Sequence, residues 1–488
     1  NILENNIYGV DIEPMAVEIS RLRSFLALVV DQEYNVKNNN GGIATLPNLE
    51  FKFVCANTLF KLDGQQGLLD GLENINLKDD LINLKRKYFK ADWKKKQKLE
   101  VELEKKLSQP GLHSSKKQKQ LMTYHPIHQI ASAVFYDPIL MHDVESGFDL
   151  VIGNPPYVQL QDKEKIPLKY QKELEDENYE TFAKTGDIYS LFYERGASLL
   201  KDNGILTYIT SNSWMRTKYG KSLIRYFKKE ANLIRIIDFV DVQVFETAIV
   251  ASNILILKKE NFTNNIEAVN IDADFEDAGN LKNYIYANKV VLDDLSEEGL
   301  VIGTQEVLDL KNKIEEGGKK LKDWDISIHY GIKTGLDKVF VIDEDIKNKL
   351  IKEDAKCKEI IKPILRGRNI NKYGYNFKNI YLLHTGFDLD VSREYLSVYN
   401  YLLKFKDKLV KRSDKGKNWW NLRACAYYNK FEAEKIAWIE LADEGRFALV
   451  KKGTYTLAGT FILSGDNLRY ILAFLNSTLS TWYFNYIS

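Results

Sequence analysis

The sequence is poor in the residues that build cross-linked, metal-binding or membrane-spanning proteins. Its 488 residues include 3 cysteines, 6 histidines and 9 prolines. Cys55, Cys357 and Cys425 are too few and too scattered for a disulfide framework or a zinc ribbon, which favours a reducing, cytoplasmic location. No apolar run reaches the ~20 residues of a membrane helix and no signal peptide is recognisable, so we expect no membrane partner.

A dominant charge is also lacking. The 69 Lys and Arg residues nearly balance the 68 Asp and Glu residues, which leaves a net charge of +1. Overall charge therefore gives no indication of nucleic-acid binding, and any such indication must come from local clusters. A hydrophobic content of 44% and a charged content of 28% are typical of a soluble globular protein. A chain of this length predicts two or three domains.

The most informative stretch joins an apolar strand to a proline turn. Residues 148–152 form a short, mainly apolar run with β-branched residues, which predicts a strand buried on both faces of a parallel sheet. A glycine follows, and Pro155 and Pro156 then fix an extended turn that lacks two N–H donors. Asn154 and Tyr157 are thereby held at the carboxyl end of a strand, where open α/β sheets bind ligands. Free carbonyls, an amide and a flat ring suit the amino group of a flipped base, although a plain proline turn is the simpler alternative.

Two further strands are predicted to end in polar residues. Residues 7–13 form a short apolar run that ends in two carboxylates, before a helix that begins at Pro14. An acid at such a strand end can hold the hydroxyls of a ribose, and Asp11 is the candidate. A surface acid that merely starts a helix is the alternative. Residues 49–59 predict the next strand, and Asn57 lies near its carboxyl end, where an ordinary turn residue is also plausible.

A basic segment interrupts this alternation. Between Lys85 and Lys119 there are thirteen Lys or Arg residues and four Asp or Glu residues, a local net charge of +9. Leucines at helical spacing and a Pro-Gly break predict a basic helical hairpin inserted at residues 79–122. Phosphate binding and a solvated helical pair are both compatible with this composition.

Downstream, helices and strands continue to alternate. The patterns predict helices at residues 127–134, 187–200 and 219–231, a mobile surface loop at 158–186, and strands at 204–210, 233–240 and 248–257. The nearby histidines match no ligand spacing and are interpreted as structural, so no metal site is predicted: His125, His128 and His142.

The Asn-Pro-Pro-Tyr turn after an apolar strand resembles the signature of N6-adenine-specific DNA methyltransferases, in particular those of type IIG restriction-modification enzymes. The resemblance implies a doubly wound, Rossmann-like α/β sheet that binds S-adenosylmethionine, followed by a mixed α+β DNA-recognition domain. It implies catalysis by Asn154, Pro155, Pro156 and Tyr157. It implies cofactor binding by Asp11, Ile12, Asn57 and Thr58. It implies stacking on the target base by Tyr157 and Phe245, and for Phe245 a core position is an equal alternative.

One departure concerns the cofactor. The family places a Gly-rich loop and a preceding helix before the strand that ends in the ribose-binding acid, and only a few residues precede that strand here. We therefore expect the N-terminal part of the sheet to be missing and cofactor binding by this chain alone to be weak. A nuclease domain, which type IIG enzymes carry, is expected outside this chain.

The C-terminal part resembles a TaqI-like specificity domain in three segments: residues 330–342, 365–370 and 471–478. Residues 404–417 hold seven Lys or Arg residues against two Asp residues, and a Trp-Trp pair follows. Charge for phosphates and planar groups for bases are what a face that binds double-stranded DNA requires, although a generic basic surface is the alternative. The candidates for DNA contact are Arg366, Arg368, Lys415, Trp419 and Arg423.

The expected domain order is a methyltransferase domain in two parts around the insertion, a helical connector and the recognition domain: residues 1–78, 79–122, 123–299, 300–320 and 321–488. Two other functions remain open at this point. One is an RNA or protein methyltransferase that uses the same turn. The other is a DNA-recognition module whose methyltransferase fold is incomplete and inactive.

Overall fold

The structure is a computed structural model with two compact units, residues 1–304 and 305–488, here the N-terminal and C-terminal units. The residues it describes are 2–30, 49–63, 73–89, 91, 93–108, 116–125, 131–240, 242–245, 251–272, 275, 280–297, 299–413, 415–442 and 444–487. No helix within these ranges is long and apolar enough to cross a membrane.

The N-terminal unit alternates strands and helices. Its strands are β1 (Gly9–Asp11), β2 (Phe53–Cys55), β3 (Phe148–Gly153), β4 (Leu200–Ser211), β5 (Asn232–Phe239), β6 (Ser252–Lys258), β7 (Ile266–Ile271) and β8 (Val290–Leu292). Its helices are α1 (Ile2–Asn6), α2 (Pro14–Val30), α3 (Glu73–Phe89), α4 (Trp93–Ser108), α5 (Lys116–Leu121), α6 (Pro138–His142), α7 (Leu168–Asp176), α8 (Tyr189–Ser198), α9 (Gly220–Glu230) and α10 (Leu281–Asn288).

Six of these strands form one mixed sheet in the order β3-β4-β6-β5-β7-β8. Strand β4 is parallel to β3, and β6 runs antiparallel between β4 and β5. Helix α9 buries Leu223, Ile224 and Phe227, the one-sided pattern of a helix that packs on a sheet. The predicted α/β class and the late antiparallel strand are confirmed, although residues 248–250 of that strand lie outside the described residues.

The strand before the proline turn exists, but the prediction that both of its faces are buried is wrong. Leu150 is 50% exposed and Ile152 is 72% exposed. Strands β1 and β2 pair parallel in a separate two-stranded sheet, so β3 pairs with β4 alone among the described strands. The apolar side chains that periodicity assigned to a buried sheet instead line an open cavity.

The stretch predicted as a mobile surface loop, residues 158–186, is built differently. It contains α7 and packs Leu160, Leu174 and Tyr179 into a small core with Leu191 of α8. Its apolar residues are spread thinly between charged ones, so their joint burial is visible only in three dimensions. The loop prediction was therefore wrong for this segment.

Two predicted boundaries also differ from the structure. Residues 131–134 of the predicted helix 127–134 are not helical, and Ala133 instead bridges Ala56 beyond the end of β2. Residues 127–130 lie outside the described residues. Helix α8 ends at Ser198 and β4 already begins at Leu200, so the predicted helix 187–200 ends too late and the predicted strand 204–210 begins too late.

The basic segment contains helices α3, α4 and α5, and it is not uniformly solvated. Lys85 is buried and its Nζ donates to the carbonyl oxygens of Leu140 (3.3 Å) and Met141 (2.6 Å) near the end of α6. Burial lowers the pKa of Lys85 to about 7. One basic residue of the insertion therefore anchors it to the α/β unit.

His142 has a structural position, as predicted. It is buried, and its Nδ1 lies 3.0 Å from the carbonyl oxygen of Phe51. His128 is outside the described residues. In the part of the chain that the structure describes, no group of three His, Cys, Asp or Glu side chains could hold a metal ion.

The C-terminal unit contains two four-stranded sheets, in the orders β10-β12-β11-β15 and β14-β13-β16-β9. Its strands are β9 (Ile326–Tyr330), β10 (Val341–Ile342), β11 (Ile361–Leu365), β12 (Tyr381–Leu383), β13 (Lys435–Ile439), β14 (Ala448–Val450), β15 (Tyr455–Thr456) and β16 (Thr460–Gly465). Its helices are α11 (Gln305–Gly317), α12 (Asp337–Phe340), α13 (Glu344–Glu353), α14 (Val391–Glu394), α15 (Leu396–Leu403), α16 (Lys406–Val410), α17 (Tyr428–Phe431), α18 (Leu468–Leu475) and α19 (Thr478–Ile487).

Candidate active site

A cavity of about 830 Å³ lies at the carboxyl ends of β1, β2 and β3. Its volume is within the range of small-molecule sites, ~300–1,000 Å³. Seven residues predicted from the sequence line it together: Asp11, Ile12, Asn57, Thr58, Asn154, Pro155 and Pro156. The sequence shows only the order of these three strand ends along the chain, and the fold brings them together around one cavity.

The proline turn presents the Asn154 amide. The preceding Gly153 is required because a Cβ there would lie 2.8 Å from a ring carbon of Tyr208. Pro155 is buried, whereas Asn154 is exposed and its side chain forms no hydrogen bond with any described residue. An amide with its full hydrogen-bonding capacity therefore lines the cavity at a rigid turn.

Tyr157 is held by its hydroxyl and its ring edges. The hydroxyl donates to the carbonyl oxygen of Ile209 (3.1 Å). The ring centroid lies 6.2 Å from that of Phe245 and 6.4 Å from that of Tyr189, both in edge-on geometry. Burial raises the pKa of Tyr157 to about 12, so its phenol is neutral near pH 7. Tyr157 and Phe245 therefore contact each other, neither of them lines the cavity, and their stacking on a target base stays a prediction.

A buried hydrogen-bond chain behind Tyr157 was not found from the sequence. Tyr219 donates to Asp187 Oδ2 (2.6 Å), and the Tyr189 and Tyr219 hydroxyls lie 2.8 Å apart. Burial raises the pKa of Tyr219 above its ordinary value. Because a partnered buried hydroxyl fixes its ring, this chain sets the position of Tyr189 against Tyr157. No spacing in the sequence joins these residues, since α8 and α9 meet only in the fold.

Asp11 uses one carboxylate oxygen in a local hydrogen bond, and its predicted role in ribose binding stays a prediction. Its Oδ1 accepts a hydrogen bond from the backbone N–H of Glu13 (2.8 Å), at the start of α2. Its Oδ2 has no hydrogen-bond partner within the described ranges, and the residue is exposed at the end of β1. The side chain therefore helps to start a helix and keeps one carboxylate oxygen for a ligand.

Asn57 is buried and held at two points. Its Oδ1 accepts from the backbone N–H of Leu59 (3.2 Å), and its Nδ2 donates to the hydroxyl of Tyr170 on α7 (2.9 Å). The neighbouring backbone is braced by the buried Arg195, whose Nε donates to the carbonyl oxygen of Thr58 (2.8 Å). Sequence reasoning missed Tyr170 and Arg195 because both come from segments far along the chain.

The candidates for DNA contact do not share one cavity. Arg366 lines a cavity of about 440 Å³, and Arg368 lines another of about 430 Å³ together with Arg446. Lys415 and Arg423 are exposed. The last candidate, Trp419, is half-buried.

The aromatic and basic segment predicted to face DNA is partly structural. Trp419 packs against Trp420 and Tyr399, at centroid distances of 5.4 and 5.7 Å. The guanidinium of Arg412 donates to the carbonyl oxygens of Thr334 (2.9 Å), Trp419 (2.8 Å), Asn421 (2.8 Å) and Leu409 (3.2 Å). Composition alone could not separate this arginine from its exposed neighbours.

Comparison with known sequences matches both units to families. Residues 5–245 match the Eco57I restriction-modification methylase family, and residues 362–488 match the TaqI-like C-terminal specificity domain. The type II restriction enzyme and methyltransferase RM.Eco57I of Escherichia coli is 32% identical over 117 residues, 24% of this chain and 12% of that protein. The type II methyltransferase M.BstVI of Geobacillus stearothermophilus is 26% identical over 219 residues, 40% of this chain and 37% of that protein.

These alignments cover less than two thirds of either relative's own length. Among solved structures, the type IIL restriction-modification enzyme MmeI in complex with DNA is similar to 74% of this chain, over 49% of its own chain, with a TM-score of 0.47 and 13% identity. The family resemblance predicted from the proline turn and the C-terminal segments is confirmed by the two family matches.

Proposed function

We propose that the protein is a site-specific DNA methyltransferase. The premise is that residues 5–245 belong to the Eco57I restriction-modification methylase family and residues 362–488 to the TaqI-like specificity-domain family. The methyl acceptor is the N6 amino group of adenine in double-stranded DNA, and the donor is S-adenosylmethionine. The observation that carries the proposal is the Asn154 amide, which lines the cavity from a rigid turn and has no hydrogen-bond partner in the part of the chain that the structure describes.

The cavity residues fit the donor. S-adenosylmethionine, when bound, supplies an electrophilic methyl group on a sulfonium. The free oxygen of Asp11 can accept a hydrogen bond from a ribose hydroxyl, as acids at such strand ends do. Asn57 offers a fixed amide, and Ile12, 49% exposed, offers an apolar wall for a flat ring. A cavity of about 830 Å³ is large enough for a nucleoside with a short side chain.

The turn addresses the main chemical difficulty of the reaction. The adenine amine is a poor nucleophile because its lone pair is delocalised into the ring. Asn154 Oδ1 and the Pro155 carbonyl oxygen accept its two hydrogens, which favours a pyramidal nitrogen whose lone pair points at the methyl carbon. With the methyl donor bound, the new N–C bond would form as the S–C bond of the sulfonium breaks, and the extra proton on nitrogen would pass to solvent. Rate enhancement then comes mainly from positioning and fixed dipoles.

Tyr157 acts through its ring in this proposal. With a pKa of about 12, its phenol is not a base near neutral pH. Taking a base out of the duplex costs a few kcal/mol, which stacking on aromatic rings offsets. Tyr157 and Phe245, 6.2 Å apart, are the rings available for that contact.

The C-terminal unit would hold the duplex through the side chains predicted from the sequence: Arg366, Arg368, Lys415, Trp419 and Arg423. Exposed cations bind phosphates and make affinity fall with salt. The name of the Escherichia coli relative joins a restriction enzyme to a methyltransferase, which supports a place in a restriction-modification system with a nuclease domain outside this chain.

The test is methyl transfer from tritiated S-adenosylmethionine to unmodified DNA, with the wild type, Asn154→Ala and the control Gln161→Ala. Gln161 is exposed in the segment after the turn and does not line the cavity. Label on adenine that Asn154→Ala loses and Gln161→Ala keeps supports the proposal. Equal DNA retention by all three proteins with no label in any of them overturns it in favour of a binding module.

A further inference from the structure

We propose that Tyr170 is a positioning residue that immobilises the Asn57 amide and thereby makes the cavity select a 6-aminopurine over a 6-oxopurine. The inference deepens the proposed function and rests on it, because the purine concerned is that of S-adenosylmethionine. Neither the family matches nor the sequence motifs assign any role to Tyr170.

The geometry joins two distant segments at the cavity wall. Asn57 follows β2 and Tyr170 lies on α7, 113 residues later, yet Asn57 Nδ2 and the Tyr170 hydroxyl are 2.9 Å apart. Both residues line the cavity. The Tyr170 ring packs edge-on against Phe60, with a centroid distance of 5.5 Å. The hydroxyl is therefore held by its own packing and can restrain the amide.

The two hydrogen bonds of Asn57 have different effects. The backbone N–H of Leu59 can only donate, so the oxygen of the Asn57 amide, and not its nitrogen, faces Leu59. That hydrogen bond is 3.2 Å long and does not by itself fix χ2 of Asn57, a terminal sp³–sp² torsion whose preferred range of angles is broad. The Tyr170 hydroxyl supplies the second point and fixes the plane of the amide. Each amide atom then keeps one further hydrogen-bonding position for a ligand.

A fixed amide discriminates between purines at position 6. An Asn side chain pairs with adenine by accepting from its amino group and donating to a ring nitrogen. A 6-oxopurine places a carbonyl where the amino group was, so Oδ1 meets another acceptor unless the amide turns over. Because buried polar groups left unpaired are expensive, such a mismatch gives strong selectivity only while the amide cannot rotate.

The same segment contains a matched control. The hydroxyl of Tyr179 donates to the carbonyl oxygen of Leu59, two residues from Asn57. Tyr179 does not line the cavity, and its hydrogen bond does not involve the Asn57 amide. Tyr179→Phe removes a hydroxyl from the same small core without releasing the amide.

The experiment is calorimetric binding of two thioethers, S-adenosylhomocysteine and its 6-oxo counterpart S-inosylhomocysteine, to the full protein. In the wild type the adenine compound binds more tightly. In Tyr170→Phe the ratio of the two affinities falls by at least about fivefold, the equivalent of one hydrogen bond. In Tyr179→Phe the ratio is unchanged. Because Tyr170 acts through Asn57, adding Tyr170→Phe to Asn57→Ala changes the ratio no further.

The possible failures are distinct. A wild type that binds neither thioether removes the cofactor assignment, and this inference with it. A wild type that binds both thioethers equally, or a Tyr170→Phe variant that weakens both by the same factor, overturns the inference and leaves the proposed function standing.

Discussion

The Asn154 turn and the basic segment 404–417 differ in what their polar groups already bind. Asn154 has no hydrogen-bond partner among the described residues and lines a cavity of about 830 Å³. Arg412, in the basic segment, spends its guanidinium on four backbone carbonyl oxygens of its own unit. Both stretches are conspicuous in the sequence for their composition, but the Asn154 amide keeps its full hydrogen-bonding capacity for a ligand and the Arg412 guanidinium does not.

The difference teaches how to weigh conspicuous residues. A polar side chain that is fully used inside the protein contributes to stability, because removing it leaves buried partners unsatisfied. A polar side chain that is held at a cavity wall without a partner contributes little to stability and stays available to bind a ligand. Substitutions in the two stretches should therefore separate activity from stability.

The largest effect is expected at Asn154. Asn154→Ala removes one acceptor for the adenine amine, and the rate of adenine methylation falls by about 10²–10³-fold or more, the magnitude seen when a single transition-state contact is lost. The free energy of unfolding changes by less than about 0.5 kcal/mol because Asn154 is exposed and its side chain bonds to none of the described residues. A variant that loses activity and stability together would show the residue to be structural, and the comparison would break.

The opposite outcome is expected at Arg412. Arg412→Met removes the side-chain donor from four carbonyl oxygens, of which only that of Leu409 keeps a backbone N–H partner among the described residues, and it removes a cation 4.9 Å from the Phe340 ring. The C-terminal unit is therefore destabilised by about 2–4 kcal/mol in denaturant unfolding.

The matched control for Arg412 is Arg423→Ala. Arg423 is exposed, and a contact made by an exposed arginine contributes at most about 1 kcal/mol, so its loss changes the free energy of unfolding by less than about 1 kcal/mol. It lowers DNA affinity and reduces the slope of log affinity against log salt by about one. Unchanged stability in Arg412→Met would show that its contacts with carbonyl oxygens contribute little to the stability of the C-terminal unit. The whole basic segment 404–417 would then be better interpreted as a binding surface.

Lys85 is another polar group that is engaged inside the protein, and its contribution to stability should depend on pH. Burial lowers the pKa of its ammonium from 10.5 to about 7, so between these values the unfolded chain binds a proton that the folded protein does not. Stability contributed at this site is therefore lowest below pH 7 and rises as pH increases from 7 towards 10.5.

The measurement for Lys85 is the unfolding free energy of the wild type and of Lys85→Met across that range. Between pH 7 and pH 9, the unfolding free energy of the wild type rises relative to that of the variant by about 2 kcal/mol. A constant difference between the two proteins would mean that the ammonium stays charged in the fold and that its pKa is not depressed.

Much of the site was predictable because short motifs fix local geometry. Pro155 and Pro156 set their own backbone, and a strand end places Asp11 and Asn57 without reference to the rest of the chain. What could not be predicted depends on contacts between distant segments, such as the Tyr170 hydroxyl on Asn57. The parts of the fold that were predicted wrongly also depend on contacts between distant segments.

The burial of β3 was predicted wrongly because periodicity reports which residues are apolar and not which strand lies beside them. Leu150 and Ile152 are as apolar as core residues, but they face the cavity because β1 and β2 pair separately. The helical segment 168–176 was missed for a related reason, since α7 owes its position to Leu174 packing in a core shared with α8.

The smallest effect is expected at the Tyr157 hydroxyl, the engaged end of a side chain whose ring is proposed to stack on the base. Tyr157→Phe removes the hydrogen bond to Ile209 and lowers the unfolding free energy by about 1 kcal/mol, while methylation falls by less than about fivefold. Tyr157→Ala removes the ring, and methylation falls by about tenfold or more, the equivalent of one base–aromatic stack. The two variants divide one side chain into a structural and a functional part. If Tyr157→Phe were as inactive as Tyr157→Ala, the hydroxyl would take part in the reaction. A side-chain group that is hydrogen-bonded inside the protein would then be functional as well as structural at this site.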